Sequence, residues 1–153
     1  MTPHPHHLAA SPPPLIVSDL RARVDEWQHL RAAYERHGGL ADSHHLLGWC
    51  SEDDDPPLSR MARGIVAGQV VHLAWHSALW IPLFQFEWPS LRVRPAVQRV
   101  MDELGDLLEP WRLAQWFVTP HPLLDDRVPA AALRDDDAEV VNAARADRFV
   151  LRG

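Results

Sequence analysis

The stretch Val70-Val71-His72-Leu73-Ala74-Trp75-His76-Ser77-Ala78-Leu79-Trp80-Ile81-Pro82-Leu83-Phe84-Gln85-Phe86 is where the chain changes its hydrophobic period. Val70–Trp75 and Leu79–Phe84 are rich in β-branched and aromatic residues, and His76-Ser77-Ala78 separates them as a short turn. That pattern reads as a β-hairpin. Pro82 has no N–H to give to a ladder, so the second strand is expected to present that position to an edge or a bulge. The segments on either side carry helical periods. The fold class is therefore mostly α with one β-hairpin.

Upstream, Ser18 reads as an N-cap, followed by Leu20, Val24, Trp27, Leu30 and Tyr34 at steps of three and four. This predicts an amphipathic helix of about five turns, stopped by Gly38-Gly39. A short helix starts at Asp42 or Ser43 and carries Leu46, Leu47 and Trp49. Ser51 to Pro57 is an acidic loop, and a third helix runs from Leu58 to Ala67 with Gly68 closing it. Downstream, Pro95 opens a helix whose apolar stripe is Val97, Val100, Met101, Leu104 and Leu108. Pro110 opens another, with Trp111, Leu113, Ala114, Trp116 and Phe117, broken by Thr119-Pro120-His121-Pro122. A short helix covers Pro129 to Leu133. Asp135 or Asp136 caps a last helix reaching Arg148, and Phe149 to Gly153 reads as a tail. Three regions follow: a Pro/His-rich disordered tail over 1–15, an N-terminal helical region over 16–68, and a hairpin-plus-helix domain over 69–153. The three N-terminal helices before the hairpin admit a degenerate winged helix-turn-helix.

The chain has 153 residues, 46% of them apolar, enough for one core. Its net charge of −6 argues against binding nucleic acid by bulk charge. Only the segment 58–108 is positive, with five arginines against four acids. The single cysteine, Cys50, excludes an internal disulfide and cysteine-based zinc sites. No apolar run approaches the ~20 residues that span a bilayer, and the N-terminus lacks the pattern of a signal peptide. A soluble cytoplasmic protein is expected.

Catalytic patterns are weak. No serine sits in a G-x-S-x-G elbow, and no glycine-rich phosphate loop is present. Cys50 lies five and six residues after His45 and His44 and reads as a buried thiol. His4, His6 and His7 lack a carboxylate to complete a metal site. His72 and His76, four apart on a strand, stand ~13 Å apart, too far for one ion. The acidic clusters at 52–55, 125–126 and 135–137 suit loops and helix starts. The reading is no enzyme, no cofactor and no metal.

Two stretches go further. Pro82-Leu83-Phe84-Gln85-Phe86 closes the hairpin, and Trp111 to Pro129 reads W-R-L-A-Q-W-F-V-T-P-H-P-L-L-D-D-R-V-P. Over residues 58–153 the chain resembles the toxin-binding domain of the Xre/MbcA/ParS antitoxin family. There a hairpin ends in P-x-F-Q-F, and a later helix carries W-x-x-x-x-W/L before a T/S-P-N/H-P-x-L turn. A G-G-R-x-P segment and a closing helix follow. Trp111, Trp116, Thr119, Pro120, His121, Pro122 and Leu124 match the helix and turn, and Arg127 and Pro129 match the next segment. Asp125-Asp126 stand where the family has Gly-Gly.

The resemblance implies an antitoxin. It would bind and neutralise a toxin, commonly of the NAD-consuming RES type, by obstructing its cleft with C-terminal residues. The toxin-binding candidates are Trp111, Trp116, Pro120, His121, Pro122, Leu124, Arg127, Arg145, Arg148, Phe149 and Arg152. Trp111 and Trp116 are five apart and cannot share one narrow stripe, so one suits the core and the other an interface. Arg127 could alternatively bind backbone carbonyls. A compatible rival is a homodimeric DNA-binding regulator of its own operator, using Arg60, Arg63, Arg92, Arg94 and Arg99. An orphan interaction module is a third reading. No membrane partner is expected.

Overall fold

A computed structural model describes residues 14–48 and 57–153. The motifs at His4, His6, His7, Trp49, Cys50 and the acids 52–55 lie outside the described residues. The protein is mostly helical with small antiparallel sheets. The helices are α1 (Pro14–Glu35), α2 (Ser43–Gly48), α3 (Pro57–Val66), α4 (Pro95–Leu104), α5 (Pro110–Phe117), α6 (Pro129–Ala132) and α7 (Asp137–Arg152). The strands are β1 (Leu40–Asp42), β2 (Leu73–Trp75), β3 (Ala78–Pro82), β4 (Phe86–Glu87) and β5 (Arg92–Val93).

Helix α1 begins four residues before Ser18, so Ser18 lies inside it and is not its cap, and Pro14 and Leu15 belong to the helix rather than to a tail. Pro14 suits that place, because a first-turn residue needs no N–H and its φ is already helical. The other end stops as expected. Gly38 and Gly39 take φ of +93° and +82°, and the N–H groups of His37 and Gly39 both donate to the Tyr34 carbonyl. The α1 stripe buries only its C-terminal half: Trp27, Leu30 and Tyr34 are in the core, whereas Leu20 and Val24 are exposed. Helix α4 ends at Leu104, so Leu108 packs on the core from the segment that follows it.

The hairpin forms, with Leu73 opposite Trp80 and Trp75 opposite Ala78. Its turn has just two residues, His76 and Ser77, both left-handed at φ 47° and 61°. Two details differ from the sequence expectation. β1 adds a third strand in the order β1-β3-β2, so β3 is central and not an edge. Pro82 is tolerated because it is the last residue of β3, opposite Leu40, and the next N–H, that of Leu83, donates to the Gly39 carbonyl at 3.1 Å. The first strand is also shorter than expected, because Val71 gives its backbone to another partner.

That partner is Gln85, a fully buried amide. Its Oε1 accepts from the Val71 N–H at 2.8 Å, and its Nε2 donates to the carbonyls of Val71 at 2.9 Å and Pro82 at 2.8 Å. The Gln85 carbonyl accepts from the Arg94 N–H at 2.8 Å, one residue before α4. One residue thus joins the approach to β2, the end of β3 and the start of α4.

Two clusters of buried side chains result. The larger draws Trp27, Leu30 and Tyr34 from α1 together with Val97, Val100 and Leu104 of α4, Leu113, Ala114 and Phe117 of α5, and Val140, Val141, Ala143 and Ala144 of α7. Within it Trp27 stacks on Trp75 at 5.3 Å between ring centroids, with Trp80 at 5.1 Å and Trp111 at 6.4 Å. Offset and tilted aromatic pairs at such separations add to their area burial. The Tyr34 hydroxyl donates to the Ala114 carbonyl at 2.6 Å, and burial pushes its ionisation well above the ordinary value of 10. The smaller cluster joins Ala41, Leu46, Met61, Val70, Ile81, Phe86 and Leu91. Among the described residues no helix is long and apolar enough to cross a membrane.

Replacing Gln85 by Met keeps the bulk but leaves the Val71 N–H and C=O buried without partners. The expected loss is about 3 kcal/mol, since each buried orphan costs ~1–3 kcal/mol. Urea unfolding of Gln85→Met checks it, and a change below about 1 kcal/mol contradicts the role given to this amide.

Candidate partner-binding site

The segment Trp111–Pro129 folds into α5, a tight turn and the start of α6. Pro110 occupies the first turn of α5, which ends at Phe117. Thr119 caps the carbonyl end, its Oγ1 donating to the Gln115 carbonyl at 2.7 Å. The turn that follows is closed by backbone bonds from the His121 N–H to the Arg127 carbonyl and from the Asp126 N–H to the His121 carbonyl, both at 3.1 Å. Asp125 and Asp126 lie at φ 54° and 58°. Both occupy the left-handed region, which aspartate tolerates better than most residues because its short polar side chain bonds locally.

His121 is buried and its two nitrogens have distinct roles. Nδ1 accepts the Leu123 N–H at 3.2 Å, which leaves Nε2 to donate to Asp147 Oδ2 at 3.1 Å. The same Asp147 oxygen accepts the Trp116 indole N–H at 2.7 Å. Asp147 of α7 therefore pins both the end of α5 and the turn. The imidazole is committed on both nitrogens, so it has no free lone pair to activate a nucleophile.

Arg127 clamps the turn. Its Nε donates to the Leu124 carbonyl at 3.2 Å, Nη1 to Asp135 at 3.1 Å and Nη2 to Glu139 at 3.3 Å. It satisfies a carbonyl, as one reading of the sequence had it, and also ties the turn to the start of α7. Asp136 caps α7, accepting from the Ala138 and Glu139 N–H groups. Leu124 is wholly in the core, whereas Pro120 and Pro122 are exposed. Trp111 and Trp116 are both half-buried on different neighbours. Trp111 faces Trp27 and Trp75, and Trp116 faces Phe117 and His121.

The largest departure from the sequence reading is the C-terminus. Residues 149–152 are no tail: α7 continues to Arg152. The reason is its arginines, which all lie against α4 and the turn after it. Arg145 Nε pairs with Glu103 at 3.1 Å, Arg148 Nη1 with Asp106 at 3.0 Å, and Arg152 Nη2 with Asp106 at 3.4 Å. Arg148 also donates to the Glu103 carbonyl. Beside these paired arginines, the apolar residues of the last turn are open. Phe149 is 82% exposed, Val150 74% and Leu151 50%. This is the longest consecutive run of exposed large apolar side chains among the described residues.

The arginines considered for DNA are spread over three elements and the joint before one of them. Arg60 and Arg63 lie on α3, Arg92 on β5 and Arg94 just before α4, and Arg99 is exposed on α4. The Arg60 guanidinium reaches the Ser90 carbonyl at 3.4 Å. His72 bonds the Val70 carbonyl and His45 bonds Asp42. No group of three metal-ligating side chains converges among the described residues. Sequence reasoning missed Asp147, Glu103 and Asp106, whose partners are 26 to 46 residues away, and missed Leu123 as an exposed apolar group. Val150 and Leu151 were legible as apolar, but as part of a tail and not of the last turn of α7.

No family model, curated protein or solved structure matches this chain.

Asp106 gives the α4–α7 clasp a pH dependence. Hydrogen bonding from Arg148, opposed by some desolvation and aided by the charges of Arg148 and Arg152, holds its carboxyl below the ordinary 3.8. A lowered folded-state value means the stabilisation is complete above the unfolded value and is lost as pH falls through the folded one. Thermal unfolding of the wild type should therefore drop more steeply below pH 3.8 than that of Arg148→Met. Added salt should shrink the difference, because the carboxylate is exposed.

Proposed function

We propose that this chain is a non-enzymatic, cytoplasmic antitoxin of the Xre/MbcA/ParS kind, which neutralises a protein toxin by direct contact through the C-terminal turn of α7. The observation that carries this reading is the open apolar face of Phe149, Val150 and Leu151 on a helix held from behind by Arg145, Arg148 and Arg152. A pre-formed helix end loses less conformational entropy on docking than a frayed terminus does. An aromatic side chain at its tip is the kind of group that dominates interface energy once it enters a pocket. The resemblance of Trp111–Pro129 to the family pattern supports the same reading, and the turn it encodes braces α7 through Asp147 and Arg127. A RES-type, NAD-consuming toxin is the partner the resemblance implies.

The test has two parts. The tagged chain is recovered from its native cells, and a small protein retained in near-stoichiometric amount is identified by mass and assayed for NAD consumption. Full-length chain should suppress that activity. A chain ending at Arg148 should keep its far-ultraviolet circular dichroism, because the clasp to Glu103 and Asp106 retains Arg145 and Arg148. Its affinity for the toxin should fall by at least about 30-fold, the loss of one aromatic hot spot of ~2 kcal/mol. Unchanged inhibition by the shortened chain sinks the docking role of α7.

The order α1-β1-α2-α3-β2-β3, with β3 between β1 and β2, favours a second and compatible role. It is the element order of a winged helix-turn-helix, in which α3, carrying Arg60 and Arg63, would enter a DNA groove and the β2–β3 hairpin would lie beside it. A homodimer would supply two such helices for a two-fold operator. Operator binding measured by fluorescence anisotropy should weaken linearly on a log–log salt plot. The double change Arg60→Gln, Arg63→Gln should reduce that slope by about 2, since each arginine would neutralise one phosphate. A slope unaffected by both substitutions removes α3 from the DNA.

A further inference from the structure

A cavity of about 280 Å³ opens between the end of α1, the segment 83–88 and the residues around α6. Its walls are apolar and aromatic, with Phe84, Phe86 and Trp88 on one side and Leu133 on another. Three basic side chains share the same cavity: His37, Arg94 and Arg134. No Asp or Glu lines it, and no ion pair joins Arg94 or Arg134 to a carboxylate among the described residues. His37 Nδ1 and Arg94 Nε are buried and have no hydrogen-bond partner among the described residues.

In a chain of net charge −6, a cavity whose ionisable groups are all basic needs an explanation. Four other arginines, Arg127, Arg145, Arg148 and Arg152, have carboxylate partners. Here half-buried Arg94 and exposed Arg134 stand beside apolar walls. Burial, followed by the charges of Arg134 and Arg36, holds the His37 imidazole below the ordinary 6.5. Buried donors left without partners cost free energy, and an incoming oxyanion supplies both the acceptors and the counter-charge. A guanidinium is also the side chain best shaped to grip a planar or tetrahedral oxyanion.

We infer that this cavity is a binding site for a small organic anion, a phosphate or carboxylate carried on a flat apolar body. Arg94, Arg134 and His37 hold the oxyanion, and the body lies against Phe84, Phe86 and Trp88. The volume admits a single ring with its anionic group, close to the lower end of the usual range for ligand pockets. Arg94 directly precedes α4 and gives its backbone N–H to Gln85, so the cavity is built on the joint of the fold. This site requires neither the toxin nor the DNA reading.

Titration calorimetry of the full-length chain at pH 7 and low salt tests it. The probes are sodium phenyl phosphate, sodium benzoate and inorganic phosphate. One phenyl-bearing anion should bind at a single site at least tenfold more tightly than inorganic phosphate. Preference for phenyl phosphate assigns the site to phosphoryl ligands, and preference for benzoate assigns it to carboxylates. Arg94→Gln and Arg134→Gln should each weaken binding at least tenfold. Arg112→Gln, on exposed α5 surface away from this cavity, should leave it unchanged. Arg134 is exposed in the turn after α6, so its replacement keeps the test valid if Arg94→Gln fails to fold. The site is disproved by no binding of any probe up to about 10 mM, by binding that survives Arg134→Gln, or by inorganic phosphate binding as tightly as the phenyl anions. Affinity for duplex DNA through these two arginines, without affinity for the small probes, disproves it as well.

Discussion

The buried amide of Gln85 sets the arrangement of this protein. Three hydrogen bonds from one side chain satisfy both backbone groups of Val71 and the carbonyl of Pro82, and its own carbonyl receives the Arg94 N–H. A glutamine with no exposure is tolerated only when its polar atoms are partnered, and here they are partnered by backbone that would otherwise be orphaned. The consequence is directional. The hairpin is held against the start of α4, which brings Trp75 and Trp80 onto Trp27 of α1 and Phe84 onto Phe117 of α5. Hydrophobic burial supplies the drive, but the amide decides which way the hairpin faces.

A second set of polar contacts orients α7. Its inner face is small and apolar, with Ala143 and Ala144 fully buried against the α4 side of the core. Its flank carries Arg145, Arg148 and Arg152 onto Glu103 and Asp106. Individually such exposed pairs contribute little, commonly under ~1 kcal/mol. As a network they select one rotation of the helix, and that rotation leaves Phe149 and Val150 facing water. Arginines that could have been presented to a partner are thus used within the chain, and the apolar side chains between them are left to do the presenting. Arg94 and Arg134 have no carboxylate partner among the described residues.

Much of the architecture was legible because punctuation in this sequence is strong and local. Pro95, Pro110 and Pro129 each open a helix at its first position, Gly38-Gly39 and Gly68 end two others, and Asp136 caps the last. The period change at 70–86 located the hairpin. The misses came where local preference competed with a distant partner. Val70 and Val71 have strand propensity, yet Val71 is taken out of the ladder by a side chain fourteen residues on. Leu40–Asp42 are too few to show an alternating pattern, and they form a strand only because β3 offers an open edge. Ser18 is a good cap by type but lies inside a helix that Pro14 had already begun.

The site divides in the same way. Local chemistry was enough to specify a braced turn after Trp116 and a capped helix closing the chain, because prolines, left-handed aspartates and an N-cap act within a few residues of themselves. Folding in three dimensions was needed for Asp147 to join Trp116 to His121, for Arg127 to span to Glu139, and for Arg148 and Arg152 to extend α7 past the expected tail. The same folding placed His37, Arg94 and Arg134 around one cavity. Those partners are separated by 12 to 97 positions, and a charge on the linear chain carries no record of which opposite charge, or which empty space, folding will bring to it.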